Sequence, residues 1–331
     1  MPLLLSDRAV LDAPVPLITS SDAALAGIRP AEDRTLHRVR RGVYASRHRW
    51  STLAPWERYA TRVHALLRTR PDAVLCLESA AVVHGIPLFG ETRDLHVYDM
   101  SATKTTRFGD VVVHASVDER TVTTIHGTLA TTALDTAIDL ARLLPPAQGL
   151  TVADAVISPA QGGALRLDDL AERASELQSR RGRTRARWVL ARANGLAESP
   201  AESVSRAVIE WCGYEEPVQQ PEFRYEGHLD RTDFGFRSNR ALCEADGWGK
   251  YELDDPVRAA QHLQNEKRRE DRLRRNGHPF GRWEPADAFR VDPLCRALGG
   301  AGLRPVFAPN HALLATLRAH PRALSRVAVT A

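Results

Sequence analysis

A chain of 331 residues, 43% hydrophobic and 26% charged, has the length for two or three domains with buried cores and the composition of an ordinary globular protein. No apolar run reaches the roughly 18 residues that cross a bilayer, and MPLLLSDRAV meets charge too early for a secretory signal. The four cysteines, Cys76, Cys212, Cys243 and Cys295, lack the spacing of a zinc site or a disulfide framework. The expectation is a soluble, cytoplasmic protein with no membrane partner. Net charge is only +4, yet just three of the 45 basic residues are lysine: Lys104, Lys250 and Lys267. An arginine-favouring genome accounts for the bias as a whole. Two of the three lysines nevertheless fall between positions 233 and 267, where a compact ammonium has a use that a guanidinium lacks.

Residues 1–72 read as a small basic module. ITSSDAALAG predicts a capped short helix ending at Gly27. RPAEDRTLHRVRRGVYA predicts a second short helix, an Arg-rich strand and a tight turn at Gly42. PWERYATRVHALLRTR is an amphipathic helix with Pro55 near its start. Helices followed by a basic hairpin form a winged-helix-like pattern, in which Arg38, Arg40, Arg41, Arg47 and Arg49 suit DNA phosphates. A solvated hairpin on a structural subdomain is the alternative, and little chain separates Gly27 from Leu36 for a recognition helix.

Residues 73–196 read as a middle α/β domain. VLCLESAAVVHGIPL predicts a buried helix stopped by Gly85, LHVYDM and DVVVHAS predict strands, and TALDTAIDLARLL, TVADAVIS and LDDLAERASELQS predict helices. His84, His96 and His114 stand apart in this pattern and are expected to be structural. RRGRTRAR, Arg180 to Arg187, is the most basic local segment; a solvated helix face is its first reading and nucleic-acid contact the alternative.

Residues 197–300 carry the chemistry, and 301–331 are expected to be a tail. ESPAESVSRAVIEWCG opens with a capping box, Ser199 with Glu202, around Pro200. PVQQPEFRYE, HLDRTDFGF and RALCEADG read as three strands, a long helix runs from Asp255-Pro256 to Gly277, and HPFGRWEPAD is a last strand. The alternation of side chains puts Asp233 on one face of its strand and Glu244 and Asp246 on one face of the next. Three carboxylates together repel unless a cation is bound. Oxygen-only donors favour Mg2+ or Mn2+, and a lysine near such an ion stabilises charge developing on a phosphodiester. Each residue also has a structural reading. Glu202 caps a helix, Asp233 is an edge-strand charge, Asp246-Gly247 is a turn pair, and Lys250, Glu266 and Lys267 are solvated. The spacing of Lys267 from Ala260 and Leu263 points it towards the sheet.

The α-β-β-β-α-β order with these acids resembles the PD-(D/E)XK nuclease superfamily, and within it the branch related to the very-short-patch repair endonuclease. VRRGVYA, ESAAVVHGIPL, TALDTAIDLAR and ESPAESVSR are similar to actinobacterial AbiEi-family antitoxin-like proteins, over nearly the whole chain. The resemblance implies a multidomain α/β (α+β) protein: a winged-helix-like module, a middle domain and a restriction-endonuclease-like domain. It makes Glu202 the helix-borne acid, Asp233 and Glu244 the Mg2+ (or Mn2+) ligands, and DNA the substrate. The lysine usual two residues after the second acid is replaced by Asp246, leaving Lys250 or Lys267 to supply the charge. Three functions follow as expectations: a metal-dependent endonuclease or nickase in defence or repair, a DNA-binding antitoxin-like autorepressor with a toxin partner and an inert nuclease-like domain, or a protein-binding scaffold.

Overall fold

The computed structural model describes residues 3–245, 256–318 and 321–324, with only the backbone described for 256–260, 262 and 263. It is a mixed α/β structure in which helices pack against three larger sheets and a separate hairpin. No helix of the described residues is long and apolar enough to cross a membrane.

The N-terminal sheet is three-stranded and antiparallel. Val43–Ser46 lies between Leu17–Thr19 and Leu36–Arg40. The first predicted helix forms as Ser20–Leu25, capped by Thr19, whose hydroxyl accepts from the Asp22 amide. The second does not form; residues 28–35 are turns. Asp33 explains this, because its carboxylate accepts both the amide and the hydroxyl of Thr35 and so offers the backbone a partner other than a helical carbonyl. Helix Pro55–Thr69 lies against strand Leu36–Arg40 of that sheet and reaches on into the next unit. Its Tyr59, Val63 and Leu66 share a core with Leu75, Val82, Leu95 and Val97 of the next unit.

That unit is a six-stranded mixed sheet. Leu95–Tyr98 and Val111–His114 are the two strands read from the sequence, and they run parallel. Val74–Leu75, Thr106–Phe108, Val122–Ile125 and Thr128–Thr131 complete it. The last two form a hairpin at His126-Gly127, both with positive φ, the backbone a two-residue turn requires. Helix Leu77–His84 ends at Gly85 in the left-handed region, where a Cβ would lie 1.8 Å from the Leu5 carbonyl oxygen. Helices Ala133–Leu143, Pro146–Ile157, Leu167–Glu176 and Arg183–Leu190 follow.

The three histidines are built into this unit. His84 bonds the Thr131 carbonyl. His96 Nδ1 lies 2.9 Å from His114 Nε2, and its Nε2 meets Arg322, which also pairs with the buried carboxylate of Glu78. Residues 322–324 reach this place by pairing with 91–93. Burial above all holds both His96 and His114 down to about 4.

Helix Pro200–Trp211 joins this unit to the last. Its buried Arg206 and Ser203 both bond Asp154 Oδ2, at 2.8 and 2.7 Å. Its Ser205 accepts the Trp283 indole N–H. Beyond it lies a four-stranded sheet in the order 218–219, 234–235, 242–245, 280–283, the last pair parallel and the others antiparallel. The first two expected strands are each broken, because residues 222–225 and 228–231 leave this sheet as a hairpin of their own. Pro221, with no N–H to donate, stands at the break, and Thr232 donates to its carbonyl. Residues 306–310 return to the end of helix Pro200–Trp211, giving amides to the carbonyls of Gly213 and Trp211.

His96 and His114 make stability depend on pH with a definite sign. Each folded pKa lies below the ordinary value of 6.5, so the stabilisation is complete above pH 6.5 and is lost as pH falls towards about 4, the unfolded chain taking the protons first. For His96 alone the loss is on the order of 3 kcal/mol. Urea midpoints measured across that window should fall less steeply for His114→Asn than for the parent protein; equal slopes would remove His114 from this account.

Candidate acidic site on the C-terminal sheet

In the register of the two middle strands, Phe234 stands opposite Cys243 and Gly235 opposite Leu242, so Asp233 and Glu244 lie at the next facing positions. Phe234, Phe236, Cys243 and Ala245 are buried in the core with Trp211 and Trp283, and Phe234 stacks on Trp283 with ring centroids 5.8 Å apart. Leu242 packs on the other side against Leu273 and Phe280. The expected division of faces is therefore present. Asp233 Oδ2 accepts the Ala245 amide at 2.8 Å, which fixes the carboxylate against the Glu244–Ala245 peptide.

Glu244 is buried, at 3% exposed, and both of its oxygens meet guanidinium groups. Arg282, its parallel-strand partner, reaches Oε2 at 2.7 Å; Arg269 of the long helix Pro256–Arg275 reaches Oε1 at 2.6 Å. Burial works against the charge of Arg269, but Glu244 and Glu266 outweigh it and raise its pKa above the usual arginine value. Glu266 is 2.6 Å from Arg269 and 3.7 Å from Arg282, so it belongs to the same network. Lys267 is exposed. The cation that this helix sends to Glu244 is Arg269, two residues further on, and Arg274 reaches the Phe280 carbonyl. Arg272 does the same for the hairpin, bonding both oxygens of Asp230 at 2.7 and 2.6 Å. Asp246 and Lys250 lie outside the described residues.

Glu202 is also buried. One of its oxygens accepts the Ser199 hydroxyl, and the other accepts the Glu198 amide and the Gln220 side-chain amide at 2.9 and 2.8 Å. Burial first, and Glu198 after it, raise its pKa; the hydrogen bonds oppose both. Gln220 connects this acid to the sheet, since its backbone N–H donates to the Asp233 carbonyl at 3.0 Å. Sequence reading passed over Gln220. Its φ of 50° is unusual for any residue with a Cβ and more so before a proline, and side-chain type does not announce such a backbone.

The N-terminal arginines divide. Arg40 is half-buried and pairs with Asp110 at 3.3 Å. Arg47 turns back on the carbonyls of Arg34 and Leu36. Arg38, Arg41 and Arg49 are exposed. In the other basic segment Arg183 and Arg185 also bond carbonyls, those of Leu177, Arg142 and Leu143. A cavity of about 620 Å³ lies between the N-terminal segment, Trp56 and Ile86, and none of Glu202, Asp233 and Glu244 lines it.

No known protein-family model matches the chain. Two uncharacterized proteins of Mycobacterium tuberculosis, from two of its strains, are each 31% identical to it over 173 residues. The match takes in 52% of this chain and 62% of each relative, so the chain spans less than two thirds of the length of the relatives it matches.

Removing one partner of a buried ion pair strands the other's charge. Glu244→Ala and Arg269→Ala, alone and combined, should therefore be non-additive in urea unfolding, with a coupling of about 2 kcal/mol. Simple additivity would show that the pair acts as two independent groups.

Proposed function

We propose that the chain is a Mg2+- or Mn2+-dependent DNA endonuclease or nickase with a C-terminal domain of the PD-(D/E)XK kind, in an AbiEi-like arrangement behind a winged-helix-like module. The observation that carries this reading is the placing of Asp233 and Glu244 at facing positions on neighbouring strands, with Glu202 tied to the Asp233 strand through Gln220. The donor chemistry fits a hard divalent cation, since both residues offer only oxygen. Asp233 and Glu244 would hold it, and the ion supplies Lewis-acid polarisation of a phosphodiester when bound.

The protein's own residues do the rest. Gln220 holds Glu202 and the Asp233 backbone in one frame, which sets the spacing between helix and sheet. Arg269 and Arg282 bring positive charge to the same carboxylate, as the resemblance would ask of Lys250 or Lys267. A bidentate guanidinium suits a phosphate as well as a carboxylate, so these arginines can exchange Glu244 for the DNA backbone. With supercoiled plasmid and Mg2+ or Mn2+, Asp233→Ala and Glu244→Gln should each slow nicking about 100-fold or more while leaving circular dichroism unchanged. Normal nicking by both variants would end this reading.

One observation favours a second reading. Both Glu244 oxygens are already engaged by arginines, a pairing that would compete with a cation and suits an inert, antitoxin-like autorepressor. In that case the exposed Arg38 and Arg41 of the N-terminal hairpin and Arg49 of the short helix Arg47–Thr52 carry DNA binding, and a toxin or defence protein is the partner. Replacing all three with alanine should lower the salt dependence of DNA binding by up to about three counterions. An unchanged salt slope would count against that role.

A further inference from the structure

Away from the acidic face, two thiols lie together. Cys212 follows the last turn of helix Pro200–Trp211, and Cys295 sits on helix Asp292–Gly300. Their sulfurs are 3.4 Å apart although 83 positions separate them in the chain. Cys212 is buried and Cys295 half-buried. Both line a cavity of about 520 Å³ that Arg290, His311 and Arg318 also line. Val291, in the same wall and immediately before the helix that carries Cys295, has φ 69° and ψ −62°. A β-branched residue holds such a conformation only where its surroundings impose it, and such residues gather at functional segments.

The other two cysteines differ from this pair. Cys76 and Cys243 are buried apart from any thiol partner among the hydrogen bonds of the described residues. Burial pushes the Cys243 thiol up to about 12 and raises Cys76 as well. Cys295 moves the other way, chiefly because of its hydrogen bond with Cys212, whose own pKa rises. The half-exposed Cys295 sulfur is the one of the two that a solute reaches more readily, and the thiolate is the reactive form. A disulfide requires a separation of about 2.05 Å. From 3.4 Å the sulfurs must approach by about 1.4 Å, a distance within the reach of small side-chain rotations at two helix ends.

We propose that Cys212 and Cys295 are a peroxide-oxidisable dithiol whose disulfide fastens the end of helix Pro200–Trp211 to helix Asp292–Gly300. In the first step the Cys295 thiolate attacks one oxygen of hydrogen peroxide. The O–O bond breaks, the departing hydroxide takes a proton to become water, and Cys295 is left as a sulfenic acid. In the second, the Cys212 sulfur attacks the Cys295 sulfur. The S–O bond breaks and the hydroxyl leaves with the Cys212 proton as a second water. Two thiols give up two electrons and two protons, and the peroxide is reduced to two waters. The staple brackets the strands that carry Asp233 and Glu244, whatever chemistry those acids perform. It restricts the unfolded chain over a loop of that length, so the folded state gains.

The test uses the full-length protein treated with hydrogen peroxide, denatured, alkylated with iodoacetamide and mapped by peptide mass spectrometry. The expected result is a cross-linked pair of peptides containing Cys212 and Cys295, with Cys76 and Cys243 alkylated. Dithiothreitol should reverse the link, and the oxidised protein should melt about 5–10 °C higher than the reduced one. In Cys212→Ser, with no resolving thiol, Cys295 should stay a sulfenic acid that dimedone traps. Recovery of all four cysteines alkylated from the treated parent protein would overturn the proposal. So would a Cys295 sulfinic acid beside an alkylated Cys212, and both of these results are read on the parent protein even if the variant does not fold.

Discussion

A carboxylate buried in the middle of a sheet must be neutralised, and Glu244 is neutralised from two directions. Arg282 comes from the neighbouring strand and Arg269 from the helix that crosses the same face. Removing either guanidinium would take away part of the charge that offsets a carboxylate in a poorly solvated place. Together they fix three things: the parallel register of Leu242–Ala245 with Phe280–Trp283, the rotation of helix Pro256–Arg275, and the direction in which Glu244 points. Had Glu244 been a leucine, hydrophobic packing alone would have tolerated a looser helix. The charge makes the arrangement specific, and it lies where the chemistry is proposed.

Helix Pro200–Trp211 does the corresponding work between units. Asp154, with no solvent exposure, receives both Arg206 and Ser203, so the helix cannot rotate without uncovering a buried carboxylate. Ser205 on the same helix holds Trp283, and Trp211 lies in the core that Phe234 and Trp283 share. At its start the Ser199 cap and Glu202 face the sheet through Gln220. At its end Cys212 meets Cys295. One rigid element therefore sets the position of an acid, the orientation of the C-terminal sheet and the separation of two thiols.

Arginine bears much of this load, and in a way that composition conceals. Arg62 bonds the carbonyls of Thr92 and Arg93, Arg142 those of Ser179 and Arg181, and Arg322 holds Glu78 and His96. A guanidinium has five donors in a plane and stays charged when half-buried, so it can satisfy several carbonyls at a loop at once. Arginines that look like a phosphate-binding series in the sequence, such as Arg40 and Arg47, are partly spent on such internal bonds.

Local signals settled much of the architecture. Caps at Thr19 and Ser199, the glycine stop at Gly85, the amphipathic run after Pro55 and the apolar spacing of Ala133–Leu143 each place a helix from near neighbours alone. Strand alternation likewise set the faces of Asp233 and Glu244. The hairpin at His126-Gly127 carries a local signal too, a glycine turn between runs of threonine and branched residues. Two departures are local yet unannounced: the helix expected before Leu36 yields to the Asp33 carboxylate bonding Thr35, and the strands around Pro221 and Thr232 bend because residues 222–231 pack as a separate hairpin. Other features depend on partners far away in the chain. Arg269 rather than Lys267 reaches the sheet because the rotation of its helix answers to Glu244, Asp230 and Leu273. Gln220, Arg282 and the Cys212–Cys295 pair have no signal in the order of residues, since each is defined by a contact across 18 to 83 positions. Sequence by itself determined which residues could be helix, strand and acid, because those preferences are written in each residue's neighbours; only the tertiary structure decided which charge neutralises which, because that depends on what burial leaves unpaired.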